Sequence, residues 1–403
     1  MKMSLKGKIA RFAIRSLTSM FSIKIMDLVV SEFLAKDRLV SRHGFYYLGN
    51  LAEKLNVVAL SVHGDYGTFV GASTDMAILR RYSETGQWAE STNNLIKQFF
   101  DGKPGTYLDI GANIGLTIVP IATNASVACH AFEPEPANYR NLVQNISENC
   151  PNANVKLHQL ALFDRKANLP FEIAEGNHGD HRIHVATGLV AKQGEIRRKV
   201  IDVYAVPLDD LHLGIKGPLV IKIDTQGAEP FVFSGGKETL SKADLIVVEW
   251  SPYHMARLGG DPMVVIDFLE REFSFAKIIT PDVSQSEILP AGGKKQIFDF
   301  LKETIRSWRD DPQRYVDVVV SKKIIMLDLP LMVSSGHAHG LPVAPATTSA
   351  YSCAGSGLLR FPVADPCSRR LGAPLRLKLH SETFLHGRRF NDKANPLHPY
   401  RIS

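Results

Sequence analysis

Between Tyr107 and Gly115 the chain reads Y-L-D-I-G-A-N-I-G, a run that leaves the backbone little choice. Leu108 and Ile110 make an apolar strand end. Gly111 and Gly115 then remove Cβ atoms at two points of a tight turn, where the backbone must bend sharply or come close to a neighbour. The apolar residues from Ile114 to Ile121 predict the start of a helix behind the turn. About twenty residues further on, Val127 to Phe132 predicts a second buried strand that stops at Glu133, where an acid can hold two ribose hydroxyls. Pro134, Glu135 and Pro136 follow it.

The glycine spacing discriminates between ligands. It is D-x-G-x-x-x-G, from Asp109 through Gly111 to Gly115, with Asn113 where a dinucleotide fingerprint wants glycine. A G-x-G-x-x-G turn seats a pyrophosphate on a helix N-terminus, and this loop is not that turn. An acid at the strand end suits a ligand carrying positive charge, so the sulfonium and α-amino groups of S-adenosyl-L-methionine fit better than NAD. Asp109, Gly111, Asn113, Gly115 and Glu133 are therefore candidate cofactor-binding residues. A plainer account, that any strand-to-helix turn uses glycines, leaves Glu133 unexplained.

The same rhythm continues. Asn154 to Leu162 predicts a third strand ending near Asp164, at the adenine edge of the cofactor site. Leu219 to Asp224 predicts a fourth, apolar except at Lys222, and Leu245 to Glu249 a fifth. Helical stretches fall at Ala137 to Asn149, Pro230 to Ala243 and Pro262 to Phe273. Gln296 to Arg309 predicts a further helix, and Tyr315 to Val320 a closing strand. Strands alternating with helices of this length predict an α/β fold, a doubly wound, mostly parallel sheet. Ligands bind such sheets beyond the carboxyl ends of the strands, which gathers Asp109, Glu133, Asp224 and Glu249 in one cleft.

With these blocks in view, L-D-I-G-A-N-I-G, A-F-E-P-E-P from Ala131, A-L-F-D from Ala161, V-P-L-D-D-L from Val206, I-K-I-D-T-Q-G-A-E from Ile221 and V-V-E-W from Val247, the chain resembles the FkbM family of S-adenosylmethionine-dependent methyltransferases. The resemblance spans about Gly64 to Ser321. It implies a Rossmann-like class I methyltransferase fold and O-methylation of hydroxyls on sugars or secondary metabolites. One departure stands out: Gln226 occupies a position where the family commonly has glutamate, so no carboxylate base is available there.

Methyl transfer to an alcohol needs in-line placement and a group to take the proton as it leaves. Asp224 is the first candidate base, followed by Glu249 and His254; Asp224 could instead hold the methionine amino group or cap the next helix. Glu229 reads as a helix N-terminal cap. Between Phe171 and Asp202 the chain leaves the strand–helix rhythm, and its segment Glu175 to Arg182 (E-G-N-H-G-D-H-R) reads either as an acceptor-binding insertion over the cleft or as a solvated turn with exposed histidines. Its H-x-x-H spacing has no partner ligands at predictable positions, so no metal site is expected. Before the cofactor strand, Gly64 to Phe69 reads as a strand hairpin and Thr74 to Thr85 as a helix ended by Gly86. Tyr66, Tyr82 and Trp88 could stack on a sugar, though core and rim packing is favoured.

The ends differ from the middle. Ser334 to Ser403 holds nine basic and three acidic residues, leaving the first 333 residues with 38 of each. The positive charge is thus a property of the tail. With seven prolines from Gly336 on, residues 334–403 read as a disordered tail, or else as a basic arm toward an anionic surface, with Arg369, Arg370, Arg388 and Arg389 as contacts. At the other end, Arg15 and Lys24 interrupt the apolar run, so a cytoplasmic protein is expected. Ile9, Phe12, Leu17, Met20 and Phe21 suggest amphipathic helices within an N-terminal helical extension over 1–63, with a weak membrane-surface contact as a secondary reading. The catalytic domain occupies 64–333. Four scattered cysteines, Cys129, Cys150, Cys353 and Cys367, make no zinc or disulfide framework. The N-x-S matches at Asn124 and Asn145 read as chance.

The expected partner is a small-molecule or glycan hydroxyl acceptor. A nucleic-acid base is not expected, because Asp224-Thr225-Gln226-Gly227 lacks the prolines and aromatic that clamp a flipped base. A nicotinamide-dependent oxidoreductase and a non-catalytic cofactor-binding module are the alternatives.

Overall fold

The computed structural model describes residues 57–184, 198–279, 292–323 and 378–381. Its elements run β1 (Val57–Gly64), β2 (Gly67–Ala72), α1 (Ile78–Thr85), α2 (Glu90–Phe100), β3 (Gly105–Ile110), α3 (Val119–Ala122), β4 (Val127–Phe132) and α4 (Pro136–Asn149). There follow β5 (Val155–His158), β6 (Ala161–Leu162), β7 (Ala167–Ile173), β8 (Arg182–Ile183), β9 (Lys199–Val206), β10 (Leu219–Ile223), α5 (Glu229–Gly235) and α6 (Lys237–Lys242). The last are β11 (Leu245–Trp250), α7 (Pro252–Arg257), α8 (Pro262–Glu272), β12 (Phe275–Ile279), α9 (Lys294–Ser307), β13 (Val316–Ser321) and β14 (Lys378–Ser381).

Seven strands form the central sheet in the order β12-β13-β11-β10-β3-β4-β5. All neighbouring pairs are parallel except the two that involve β13, which runs antiparallel to β11 and β12. The chain steps outward from β3 to β5, then returns to β10 and steps outward the other way, so β3 and β10 flank the topological switch point where such sheets open a crevice. Every residue of β3 and β10 is buried, which is why both read as near-continuous apolar runs. One face of the sheet packs Ile110, Ile221, Ile223 and Val248 against Val232, Phe233, Leu269 and Phe298 of the helices from α5 to α9.

Several boundaries differ from expectation for local reasons. The predicted third strand divides: β5 stays with β4, whose ladder ends at Phe132 opposite His158, and the chain then pairs as β6 with β9. It belongs there to a second, four-stranded sheet of order β6-β9-β7-β8. The helix expected from Pro230 to Ala243 breaks at Gly236, which leaves helical geometry at φ −128°, ψ 18°; the Gly235 before it has no room for a Cβ against the Phe163 carbonyl. Behind the glycine turn the backbone stays in turns to Ile118 and becomes helical only at Val119. Strands β7, β9 and β12 were not foreseen.

The hairpin at Gly64 and the helix ended by Gly86 form as expected; Gly86 sits at φ +73° and closes α1 with its N–H on Tyr82 O. Strand β1 starts at Val57, inside the stretch read as a helical extension, and residues 1–56 lie outside the described residues. In the C-terminal tail the described residues Lys378–Ser381 pair antiparallel with β1; the tail arginines and Cys353 and Cys367 lie outside the described residues. Cys129 and Cys150 are buried free thiols, and Asn145, wholly buried, donates to Val70 O and Ile114 O. No helix among the described residues is long and apolar enough to cross a membrane.

Candidate functional site

The turn after β3 is held entirely by the protein's own acceptors. The Gly111 and Ala112 N–H groups both donate to Phe132 O at 3.0 Å, and the Gly115 N–H donates to Ala112 O. Asn113 N–H donates to Glu133 Oε2 at 2.9 Å, and Ile114 N–H to the Asn113 side-chain oxygen at 2.8 Å. Five successive amides are thus turned inward. Gly111, Asn113 and Gly115 stand at φ +85°, +51° and +97°, the left-handed region that glycine and asparagine tolerate best.

Glu133 accepts from Asn113 N–H and, at 2.8 Å, from Glu135 N–H. Burial pushes its carboxyl up to about 8 despite these donors. Glu135 caps α4 through Asn138 N–H. Asp109 is fully buried; its Oδ2 accepts from the Thr117 hydroxyl at 2.6 Å, and Lys222 Nζ lies 3.6 Å from Oδ1.

Register explains the ion pairing. Lys222 faces Asp109 across β10 and β3, and Glu249 faces Asp317 across β11 and β13. All four side chains share one side of the sheet. Lys222 Nζ also lies 3.3 Å from Asp224 Oδ2. Burial alone would depress its ammonium, but the charges of Asp224 and Asp109 raise it above the ordinary lysine value. Burial first, then Asp224, Glu229 and Asp317, hold the Glu249 carboxyl well above the glutamate range. Burial and Asp224 raise Asp317 to about 7, and Asp317 accepts from the Thr92 hydroxyl of α2.

The T-Q-G-A-E loop curls over this network. Gln226 (φ +56°) and Gly227 (φ +111°) are both left-handed, and Glu229 holds them there. Its Oε1 accepts from the Thr225 N–H and hydroxyl, and its Oε2 from Gly227 N–H. Glu229 is thus a clasp for the loop as well as the first residue of α5, with burial raising its carboxyl to about 7. Gln226 donates through Nε2 to Asp224 Oδ1 at 2.9 Å and to Glu249 Oε2 at 2.8 Å. His254 is buried on α7, its carbonyl packed against Gly227.

The insertion folds down onto the glycine turn. The carbonyl of His178 accepts from the side-chain amides of Asn113 and Asn138, at 2.7 and 3.2 Å. The His178 ring bonds Thr74. His181 is buried, accepts from Ala174 N–H, and is pushed down to about 3, chiefly by burial. The account of a solvated turn with exposed histidines therefore fails at His181. Beside this loop, Glu172 is ringed by Arg182, Arg198, Arg257 and His184; Arg257 of α7 grips both its oxygens, at 2.8 and 2.7 Å. Among the described residues no group of His, Cys, Asp and Glu forms a metal site.

Asp109, Asp224 and Glu249 thus come together around Lys222 and Gln226, while Gly111, Asn113, Gly115 and Glu133 make one interlocked turn. Asp164 follows β6, its carboxylate on Arg165. Tyr66 and Tyr82 stack on each other, and the Tyr82 hydroxyl donates to Gly67 O, so both brace the hairpin. Sequence reasoning assigned no role to Lys222, Asp317, Thr117, Glu172, Arg198 or Arg257. Only Lys222, a lone charge in a buried strand, carried a signal.

This switch-point crevice, with a glycine turn on β3 and an acid ending β4, defines a Rossmann-like class I methyltransferase fold. Residues 109–302 match the family model for the methyltransferase FkbM domain, and the chain carries that domain. It is 29% identical over 157 residues to the 2-O-methyltransferase NoeI of Sinorhizobium fredii, a match covering 36% of this chain and 62% of that relative's length. Among solved structures it resembles a methyltransferase FkbM from Methylobacillus flagellatus KT, with TM-score 0.32 and 12% identity over 60% of this chain and 52% of that one. It also resembles the bifunctional kinase-methyltransferase WbdD, with TM-score 0.32 and 11% identity over 62% and 43%. The fold assignment rests on the strand order, not on these two likenesses.

Proposed function

We propose that this chain is an S-adenosylmethionine-dependent methyltransferase that methylates a hydroxyl of a small molecule or glycan. The observation that carries this reading is the donor turn. Its five amides from Gly111 to Gly115 are consumed internally, so no cradle of N–H groups remains for a pyrophosphate, and no helix begins at the turn to supply a dipole. The strand-tip acids Glu133 and Asp224 offer a cationic methyl donor hydrogen-bond acceptors instead. Glu133 keeps lone pairs for the ribose hydroxyls, and Gly111, Asn113 and Gly115 shape the turn. The 2-O-methyltransferase relative supports oxygen as the acceptor atom, and a cytoplasmic location fits a donor made there.

When bound, the donor supplies an electrophilic methyl: the new oxygen–carbon bond forms as the sulfur–carbon bond breaks, leaving a neutral thioether. The chain's own task is to orient the acceptor and take its proton, and positioning alone is worth effective molarities of ~10⁵ to 10⁸ M. Asp224 is the base in this reading. Its side chain is 35% exposed at the crevice while Asp109 is fully covered. Glu249 is joined to it through Gln226, and His254 lies on α7 with its carbonyl against Gly227.

The test is differential ligand stabilisation. S-adenosylmethionine or its demethylated product at ~100 times its dissociation constant should stabilise the fold by about 2.7 kcal/mol, and NAD should not. Incubation with labelled donor and fractionated glycans and metabolites should then label an acceptor, and D224N should abolish labelling while keeping donor binding. Equal stabilisation by NAD would sink the reading.

A further inference from the structure

The next step rests on the methyltransferase reading and concerns the residue that departs from the family pattern. We propose that Gln226 is a positioning residue: its amide ties the carboxyl groups of Asp224 and Glu249 into one unit and so fixes the direction in which Asp224 faces an acceptor hydroxyl.

The geometry has little slack. An amide –NH₂ offers two hydrogens, and here they go to Asp224 Oδ1 at 2.9 Å and Glu249 Oε2 at 2.8 Å. Glutamate at this position would set carboxyl oxygens against both acceptors. Methionine would keep the length and lose both bonds. The backbone is held in an unfavourable region to place this side chain: Gln226 has φ +56°, and Glu229 accepts from both sides of it, at Thr225 and Gly227. A non-glycine residue kept left-handed by a dedicated carboxylate is the kind of local strain that accompanies a positional task.

The surroundings make the two tied carboxyls unequal. From β10, Lys222 faces Asp224 at 3.3 Å, with Asp109 of β3 on its other side. Glu249 is opposite Asp317 of β13 in register and also feels Glu229 of α5. From α2 comes the Thr92 hydroxyl, on Asp317, and α7 brings the backbone carbonyl of His254 against Gly227. A cation therefore backs Asp224, whereas acids surround Glu249. The neutral amide joins the pair without adding a charge that would erase this difference.

Two measurements on the full chain test the role. In the first, the protein is labelled with carboxyl-¹³C Asp and Glu and titrated by NMR without donor or acceptor, with D224N and E249Q assigning the signals. The Glu249 midpoint should move upward by about one pH unit or more in Q226E, and the Q226M curve should also differ from wild type, because coupled carboxyls titrate as a pair. In the second, methyl transfer to the labelled acceptor is followed against pH. Q226E should lower kcat about tenfold at neutral pH and recover part of it at higher pH, and Q226M should lower kcat without that recovery, both with donor affinity unchanged. Calorimetry with S-adenosylhomocysteine separates the two ways to fail. A wild type that binds no donor ends the methyltransferase reading and this role with it. Donor binding together with folded Q226E and Q226M that match wild type in both titration and rate ends this role alone.

Discussion

The side-chain amide of Asn113 donates to the backbone carbonyl of His178 at 2.7 Å, fastening the Glu175–Arg182 insertion directly to the glycine turn after β3. The same asparagine gives its backbone N–H to Glu133 and accepts from Ile114 N–H with its side-chain oxygen. One residue therefore links the strand-end acid, the turn and the insertion. Its left-handed backbone explains why asparagine or glycine stands here; its side chain explains why asparagine serves where a dinucleotide fingerprint has glycine.

Comparing N113G with N113A separates those two roles. Glycine keeps the backbone conformation and loses the clamp, a loss of about 1 kcal/mol. Alanine adds left-handed strain of about 1 kcal/mol or more. Urea unfolding should rank wild type above N113G above N113A, and amide exchange across 175–182 should quicken in both. Unchanged exchange in N113G would show that the loop holds itself.

Lys222 is the cation around which Asp109 and Asp224 assemble. Removing one partner of a buried ion cluster leaves uncompensated charge, typically costing 3–5 kcal/mol, so K222M should be destabilised by roughly that much near neutral pH. The deficit has a sign with pH. The acids left behind can be neutralised by protons, and Asp317 already takes one up near 7, so the gap to wild type should narrow on acidification. Denaturant unfolding at several pH values checks this; a gap that widens toward low pH contradicts the cluster.

The sequence carried the outline of this fold and of the glycine turn after β3, and the reasons are physical. Where a strand is buried on both faces, as in β3, β4 and β10, a run of apolar residues has one reading, and the acids and glycines at its end inherit a place. Legibility faded where partners decide structure. Asn154 to Leu162 looks like one strand because nothing local says that β4 stops at Phe132, and β12 is found only by its pairing with β13. The site followed the same rule. Glu133 and Asp224 announce themselves at strand ends, but the Gln226 bridge depends on two strand tips being neighbours, and the Glu172 cluster on α7 packing against an insertion.

Glu133 gives the apo protein a pH signature. Its carboxyl is raised from 4.5 to about 8 by burial, so the folded chain keeps a proton that the unfolded chain has released. Stability from this group is complete below the ordinary glutamate value and is lost as pH climbs through the folded one. Glu229, raised to about 7, acts in the same direction. The melting temperature without ligand should fall across this window, and E133Q should flatten the decline. A melting temperature that rises over the window in wild type would contradict buried, protonated acids.

Gly111 and Gly115 both lie at positive φ, yet they should not respond alike to a methyl group. At Gly111 an added Cβ would collide with the backbone carbonyl oxygen of Asp224, whereas at Gly115 it would meet Leu142 Cδ1, the far end of a flexible side chain, at 2.9 Å. Both alanine variants bear left-handed strain of about 1 kcal/mol or more, so the difference between them isolates the collision. Leu142 can change rotamer, while the Asp224 carbonyl can yield only by parting β3 from β10 at the switch point. G111A should therefore be the less stable of the two by a further 1–3 kcal/mol, in the usual range for overpacking. It should also lose methyl transfer more than donor binding, since the shift lands on Asp224, the base proposed above. Equal stabilities for G111A and G115A would mean that the two strands part more easily than their fully buried ladder implies.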